Sequence, residues 1–461
     1  MKIFISTVFW GDWHRDAFLQ ANLPTLMAPG NLPNLVARAQ VVYDIYAPKE
    51  DLKILKQATI FSKLEKLGCV KLNKISTKDI KDPIQTHHNI WRKCVTKAIR
   101  ANGIALFMPP DIIWSDGSLQ YSLDQLEQGK KAIFMGLMRV ASETCIPELL
   151  KNHCRPSSPI INLTGRELIA MGLNNAHPLW FTYFRESEHF PIHPELIVWP
   201  VASKGFLVRF LAREMFMFRA ADLEINSSNQ LLKLDNPADI HVITDTDQAA
   251  ALSLAQLFQD IPWYQNPQTA DPITIGQWWL NHDSPLNDFL ASQSMRFHGD
   301  LVFENEWRKT EIQSAAFVRR IIIARETQRI IEGLRFYGET LAAQILSLAL
   351  FEAGLMGRWP VTGPITAFIP SEKILKKWLN SKDSQLLGQK RKKDLIRAIL
   401  RHVVPDDLEL EQGMAKQIRM ADGTERSISW TRNKAFLDGK PFHPEPLIVG
   451  SHRLHILDAV L

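Results

Sequence analysis

Four groups of residues in this 461-residue sequence have types and spacings that chemistry can use. Asp111 follows the apolar run Ile104-Ala105-Leu106-Phe107-Met108 and two prolines, and Asp116 stands five residues further on. A carboxylate at a strand end can hold a hard divalent cation together with substrate phosphates and water. A second carboxylate within hydrogen-bond reach can take a proton from an attacking hydroxyl, a role open to Asp116 and Asp245. Asp116 serves equally as the cap of a helix starting at Gly117, and Asp111 as the stabiliser of a Pro-Pro turn. The second group, Asp245-Thr246-Asp247, ends the run His241-Val242-Ile243-Thr244. Its two acids either ligate a cation bridging a diphosphate, with Asp247 as a metal ligand, or cap a helix over residues 248–258.

The third group is His87-His88-Asn89 with Arg92, where His88 and Arg92 share one helix face four residues apart. Such a face holds a phosphate or is merely solvated. The fourth is the aromatic loop holding His177, His189 and His193, which lacks metal-ligand spacing and suits sugar stacking better. No Walker motif, GxGxxG, nucleophile elbow or CxxC is present.

These residues need elements to place them. Residues 3–9, 40–46, 70–73, 104–108 and 131–140 read as strands, and amphipathic helical patterns lie between them. A helix from about Asp12 carries Leu19, Leu23, Leu26 and Met27 on one face, with a kink expected at Pro24. Strands alternating with helices predict right-handed crossovers and a mainly parallel sheet with helices on both faces. Ligands on such sheets bind beyond the carboxyl ends of the strands. Further on, residues 311–334 and 340–355 read as helices, and residues 414–430 as a hairpin turning at Ala421-Asp422-Gly423-Thr424. The expected domains are an α/β domain over 1–260, a helical one over 261–405 and a small β-rich segment over 406–461.

Composition bounds the classes. Hydrophobic residues are 46% and charged residues 22%, ordinary for a globular protein. The net charge of +5 is local: from Glu372 to His402 ten Lys or Arg face three acids, a net +7, and the remainder sums to about −2. That distribution excludes a general nucleic-acid coat. The basic stretch from Lys373 to Arg401 is either a solvated helical surface or a contact for anionic lipid. Four scattered cysteines fit free thiols in a reducing compartment. Residues 1–10 read as a strand and not as a signal peptide. The expected location is the cytoplasm, with the inner membrane face open to the basic stretch.

Four segments carry a resemblance: residues 3–10 with the following Leu23-Pro24-Thr25-Leu26-Met27-Ala28-Pro29-Gly30-Asn31-Leu32-Pro33, the strand end Ile45-Tyr46-Ala47-Pro48, residues 107–119, and residues 240–247. Together they resemble a bacterial branch of the nucleotide-diphospho-sugar transferases with the glycosyltransferase A-type, Rossmann-like fold. The resemblance implies a nucleotide-sugar donor, a divalent cation (Mn²⁺ or Mg²⁺) and a glycan, lipid-linked or protein acceptor. Thr7, Phe9, Trp10 and Tyr46 would then border the nucleotide and Asp111 would occupy the metal position, while Arg92, from its own helix face, is the candidate for a phosphate. One departure stands out: the family's DxD is here Pro109-Pro110-Asp111, a single acid where two are usual. Either Asp111 holds the metal with a ligand from elsewhere, or catalysis is metal-independent, or the chain is an inactive, transferase-like binding or scaffold protein.

Overall fold

A computed structural model describes every residue except 77–79, 81, 156–157, 192–193, 203, 212–214, 221–223, 226–230, 233–235, 259–267, 282–284, 358–362, 382–391 and 433. The chain forms two compact units. One comprises Met1–Ala270 with Ser284–Ala315, the other Asp271–Asp283 with Ala316–Leu461. This division does not follow the expected boundaries after 260 and 405. Part of the basic stretch, residues 382–391, lies outside the described residues, as does His193.

The first unit is built on a seven-stranded sheet in the order Ile240–Val242, Ala132–Phe134, Met215–Arg219, Ile104–Phe107, Lys2–Val8, Gln40–Ala47, Val70–Lys74. Every pairing is parallel except those made by Met215–Arg219. Ile3, Ile5, Ile104 and Leu106 are wholly buried, as expected of strands covered on both faces. The helix Pro83–Arg100 starts where Asp82 accepts from the Gln85 amide at 3.1 Å, and it buries Cys94, Val95 and Ala98. The parallel sheet thus agrees with the sequence reading.

Three local expectations are corrected. The strand expected over residues 131–140 is two strands, Ala132–Phe134 and Met138–Ala141, in different sheets. The break falls at Gly136, where a Cβ would lie 2.3 Å from the Phe210 ring. The helix expected over residues 248–258 is replaced by the strand Ala251–Ala255, paired with Ile112–Trp114 on one side and Met138–Ala141 on the other. The kink expected at Pro24 is a wide π-helical turn, Phe18–Asn22, before the short helix Leu23–Leu26. The wider turn absorbs the proline's missing N–H.

The segment from Leu23 to Pro33 is a clasp. Fully buried Asn31 donates to the carbonyls of Thr25 (3.1 Å) and Ser115 (3.0 Å), and its Oδ1 accepts from the Leu119 amide at 3.1 Å. Gly30 is pressed so closely on Gly117 that a Cβ would meet its backbone at 2.7 Å. Asn31→Ala leaves these buried backbone groups unpaired and is expected to cost about 2 kcal/mol in urea unfolding.

In the second unit a mixed sheet runs Val403–Val404, Thr366–Pro370, His452–Leu457, Lys440–Phe442, Lys434–Leu437, Glu425–Thr431, Ala415–Arg419, with Leu447–Val449 also on His452–Leu457. The hairpin expected over residues 414–430 is present, and Asp438-Gly439 makes the next turn. The helix Thr340–Ala353 accompanies it, as do the later part of Glu304–Phe336 and the short helices Glu372–Leu379 and Lys392–Leu400. Glu326 is ringed by His452 Nε2 at 3.1 Å, Arg325 at 2.7 Å and Arg329 at 3.0 Å.

Between these helices and the sheet lies an apolar cavity of about 210 Å³, walled by Ile330, Ala349, Ile365, Ile369, Leu375 and Ile399 among others.

Candidate functional site

In the seven-stranded sheet the strand order turns between Lys2–Val8 and Ile104–Phe107, so the crevice beyond their carboxyl ends is the expected ligand position. Trp10 and Asp111, both largely buried, follow these two strands. Gly11, at φ +80°, lets the chain leave the first strand directly into the helix Asp12–Ala17, which carries His14. The Ile112–Trp114, Ala251–Ala255, Met138–Ala141 sheet sets Arg139 opposite Ser253, and Ser253 opposite Ile112, the residue after Asp111. The Leu254 amide donates to the Asp111 carbonyl at 2.8 Å and fixes the turn. Burial pushes the Asp111 carboxyl up from the ordinary carboxylate range, while its own backbone amide, His14 and Arg139 pull it down.

A series of aromatic rings runs from Trp10, just beyond Lys2–Val8, to Phe107, the last residue of Ile104–Phe107. The Trp10 ring meets His87 edge-on at 5.0 Å, His87 meets Trp91 at 6.0 Å, and Trp91 stacks on Phe107 at 4.7 Å with 14° between planes. Burial, with repulsion from His14 and His88, lowers the His87 pKa to about 4. At neutral pH His87 is therefore an uncharged ring beside two indoles, suited to a planar heterocycle and not to holding phosphate as a cation.

The other expected nucleotide contacts divide. Thr7 is fully buried, shares a 2.8 Å hydrogen bond with the Tyr43 hydroxyl and donates to the Met108 carbonyl at 2.8 Å. Phe9 is 1% exposed and packs on Phe18 at 5.2 Å. Both side chains belong to the core, because alternation at this strand end turns them inward. Tyr46 is half-buried, and burial with the nearby Asp44 charge raises its phenol pKa. Arg92 is exposed and donates to Asn89 Oδ1 at 3.1 Å. Asp116 does not cap the helix Ser118–Glu127; its Oδ1 accepts from the Gly30 amide at 2.6 Å, which ties it to the clasp.

Asp245 and Asp247 form a second centre. Asp245 Oδ2 lies 2.9 Å from His298 Nε2, and Asp245 Oδ1 accepts from the Asp247 amide at 2.8 Å. Among the described residues, Asp245, Asp247 and His298 can bring three ligand atoms within 4.8 Å of one another, and Asp111 is not of that group. Two carboxylates and an imidazole suit Mn²⁺ by donor chemistry. Arg166, however, grips Asp247 with two nitrogens, Nε at 2.9 Å and Nη2 at 2.6 Å, and this hydrogen bonding, more than the opposing burial, lowers the Asp247 pKa.

Of the two expected metal ligands, Asp247 belongs to this group and Asp111 does not. The Asp111 carbonyl accepts from the Leu254 amide, whereas Asp247 is held by Arg166 and by Asp245 Oδ1.

His14, Arg139, Arg166 and His298 have no sequence signature. His298 reaches Asp245 only because Asp245 bridges Arg296 in register, while the Thr246 hydroxyl accepts from the His298 amide at 2.9 Å. Spacing along the chain carries no sign of that pairing.

Comparison with known proteins adds a result for each part of the chain. Residues 342–461 match the fasciclin domain family. No curated protein matches the chain. Among solved structures, S. aureus TarS 1-349 aligns over 92% of this chain and 96% of its own, at 10% identity and a TM-score of 0.25. A longer S. aureus TarS structure aligns over 99% of this chain and 60% of its own, at 9% identity and a TM-score of 0.24. The chain thus spans about 60% of the length of that longer structure. At these TM-scores the likeness carries no argument, and the functional reading rests on the chain's own geometry.

Proposed function

We propose that the first unit transfers a sugar from a nucleotide-diphosphate donor bound beyond the ends of Lys2–Val8 and Ile104–Phe107. The observation that carries this reading is the turn in strand order, where Asp111, whose carboxyl feels the charges of Arg139 and His14, follows one strand and the Trp10–His87–Trp91 rings begin beyond the other. The rings supply faces on which a base can stack. Asp111 would hold a divalent cation against the diphosphate, since a lone carboxylate and a diphosphate repel each other unless a cation joins them. Arg139 offsets negative charge on the leaving group. Asp245 with His298 keeps the geometry of a carboxylate-oriented imidazole.

Thermal unfolding against a panel of nucleoside diphosphates, each with and without Mn²⁺ or Mg²⁺, tests this. A ligand at about a hundred times its Kd adds about 2.7 kcal/mol and raises the midpoint visibly. The expected result is a rise with one nucleotide, larger with metal, whose metal-dependent part disappears in Asp111→Asn. If that part disappears only in Asp245→Asn, the cation belongs to the second centre and Asp111 loses its assigned role. No rise with any nucleotide favours the scaffold reading, to which the single acid in Pro109-Pro110-Asp111 already points.

A further inference from the structure

The second unit holds a feature that sugar transfer does not use. We propose that its cavity binds the chain of a free medium-length carboxylate, a fatty acid of about eight carbons, with the head at Arg319. Three observations converge on that occupant.

The first is size and lining. The cavity measures about 210 Å³ and its wall is chiefly Ile, Leu and Ala side chains. A dry apolar cavity of about 150 Å³ takes benzene, with six carbons, so this one has room for roughly eight. Two full-length phospholipid chains do not fit. The second is the cation at the wall. Arg319 lines the cavity and is itself exposed, and it forms no ion pair with any described residue. Glu326, the acid in the lining, is already held by His452, Arg325 and Arg329 and offers no free negative charge.

The third is the field around it. Glu372–Leu379 and Lys392–Leu400 give Leu375, Leu395 and Ile399 to the wall, and their outer faces carry Lys373, Lys376, Lys377, Lys392, Lys393 and Arg397 against Glu372 and Asp394. Such a surface draws an anionic head toward the cavity while the chain enters the apolar space. The basic stretch thereby gains a role that needs neither nucleic acid nor a bilayer.

Calorimetric titration of the full chain with octanoate, 1-octanol and phosphatidylglycerol vesicles tests this. Octanoate is expected to bind saturably at one site. Arg319→Gln should weaken octanoate at least tenfold and leave 1-octanol unchanged. Ala349→Leu fills the space from a helix position. It should abolish binding of both compounds and raise the melting temperature of the ligand-free protein, a gain that mere misfolding would not give; Ala342→Leu is the second filling variant. The proposal is overturned if octanoate does not saturate, if both filling variants bind as wild type does, or if only vesicles bind. Because every probe acts on the second unit, failure here leaves the nucleotide reading untouched.

Discussion

Asp111→Asn is expected to slow sugar transfer roughly 10²- to 10³-fold without lowering the melting temperature, the scale seen when one preorganised electrostatic contact to developing charge is removed. Asparagine keeps the shape and cannot carry a cation's charge. The stability half of the expectation follows from the direction of the pKa shift. Burial raises the Asp111 carboxyl in the folded protein. The charged form is therefore favoured by unfolding, and wild type loses stability as pH rises through the raised value. Below the ordinary carboxylate range the group is neutral in both states and the penalty vanishes. Melting curves of the two proteins should thus coincide near pH 3, and at pH 8 the variant should melt at or above wild type. Full turnover in Asp111→Asn would remove the residue from the mechanism; a variant that melts well below wild type at pH 8 would make Asp111 a structural residue.

The second large effect is expected in the other unit. Burial works against the Glu326 charge, yet the hydrogen bond from His452 and the charges of Arg325 and Arg329 outweigh it and hold the pKa at about 2, against an ordinary 4.5. Arg325 is only 4% exposed, so removal of its acid leaves a desolvated guanidinium. Glu326→Ala should cost about 3 kcal/mol at neutral pH, as for other buried pairs broken on one side. Because the folded value is depressed, this stability is present above about pH 4.5 and is lost as pH falls toward 2. Hydrogen exchange of the amides in Thr366–Pro370, followed against urea, reads the loss in this unit alone. A change under about 1 kcal/mol would show that the ring of cations contributes little.

How much of this could be read from the sequence depends on what set each feature. The parallel sheet was legible because continuous apolar runs such as Ile104–Phe107 follow from burial on both faces. The position of Asp111 was legible for the same reason: a strand end fixes where the next residue goes. Ala251–Ala255 was not legible, since alanine and leucine favour helix, and pairing on both sides overrode that preference. Thr7 and Phe9 were placed at the crevice by their position in the chain, whereas side-chain direction at the strand end turns them to the core. The Asp245–His298 pair joins residues 53 positions apart through bridging of Asp245 with Arg296, and short-range spacing carries no trace of it.

The most direct measurement is amide hydrogen exchange of the full chain, with and without saturating nucleoside diphosphate and Mn²⁺. The account predicts slowed exchange in peptides covering residues 9–14, 87–92 and 107–112, and unchanged exchange across residues 342–461. Protection confined to residues 342–461, or protection nowhere under any nucleotide, would contradict a donor site at the turn in strand order.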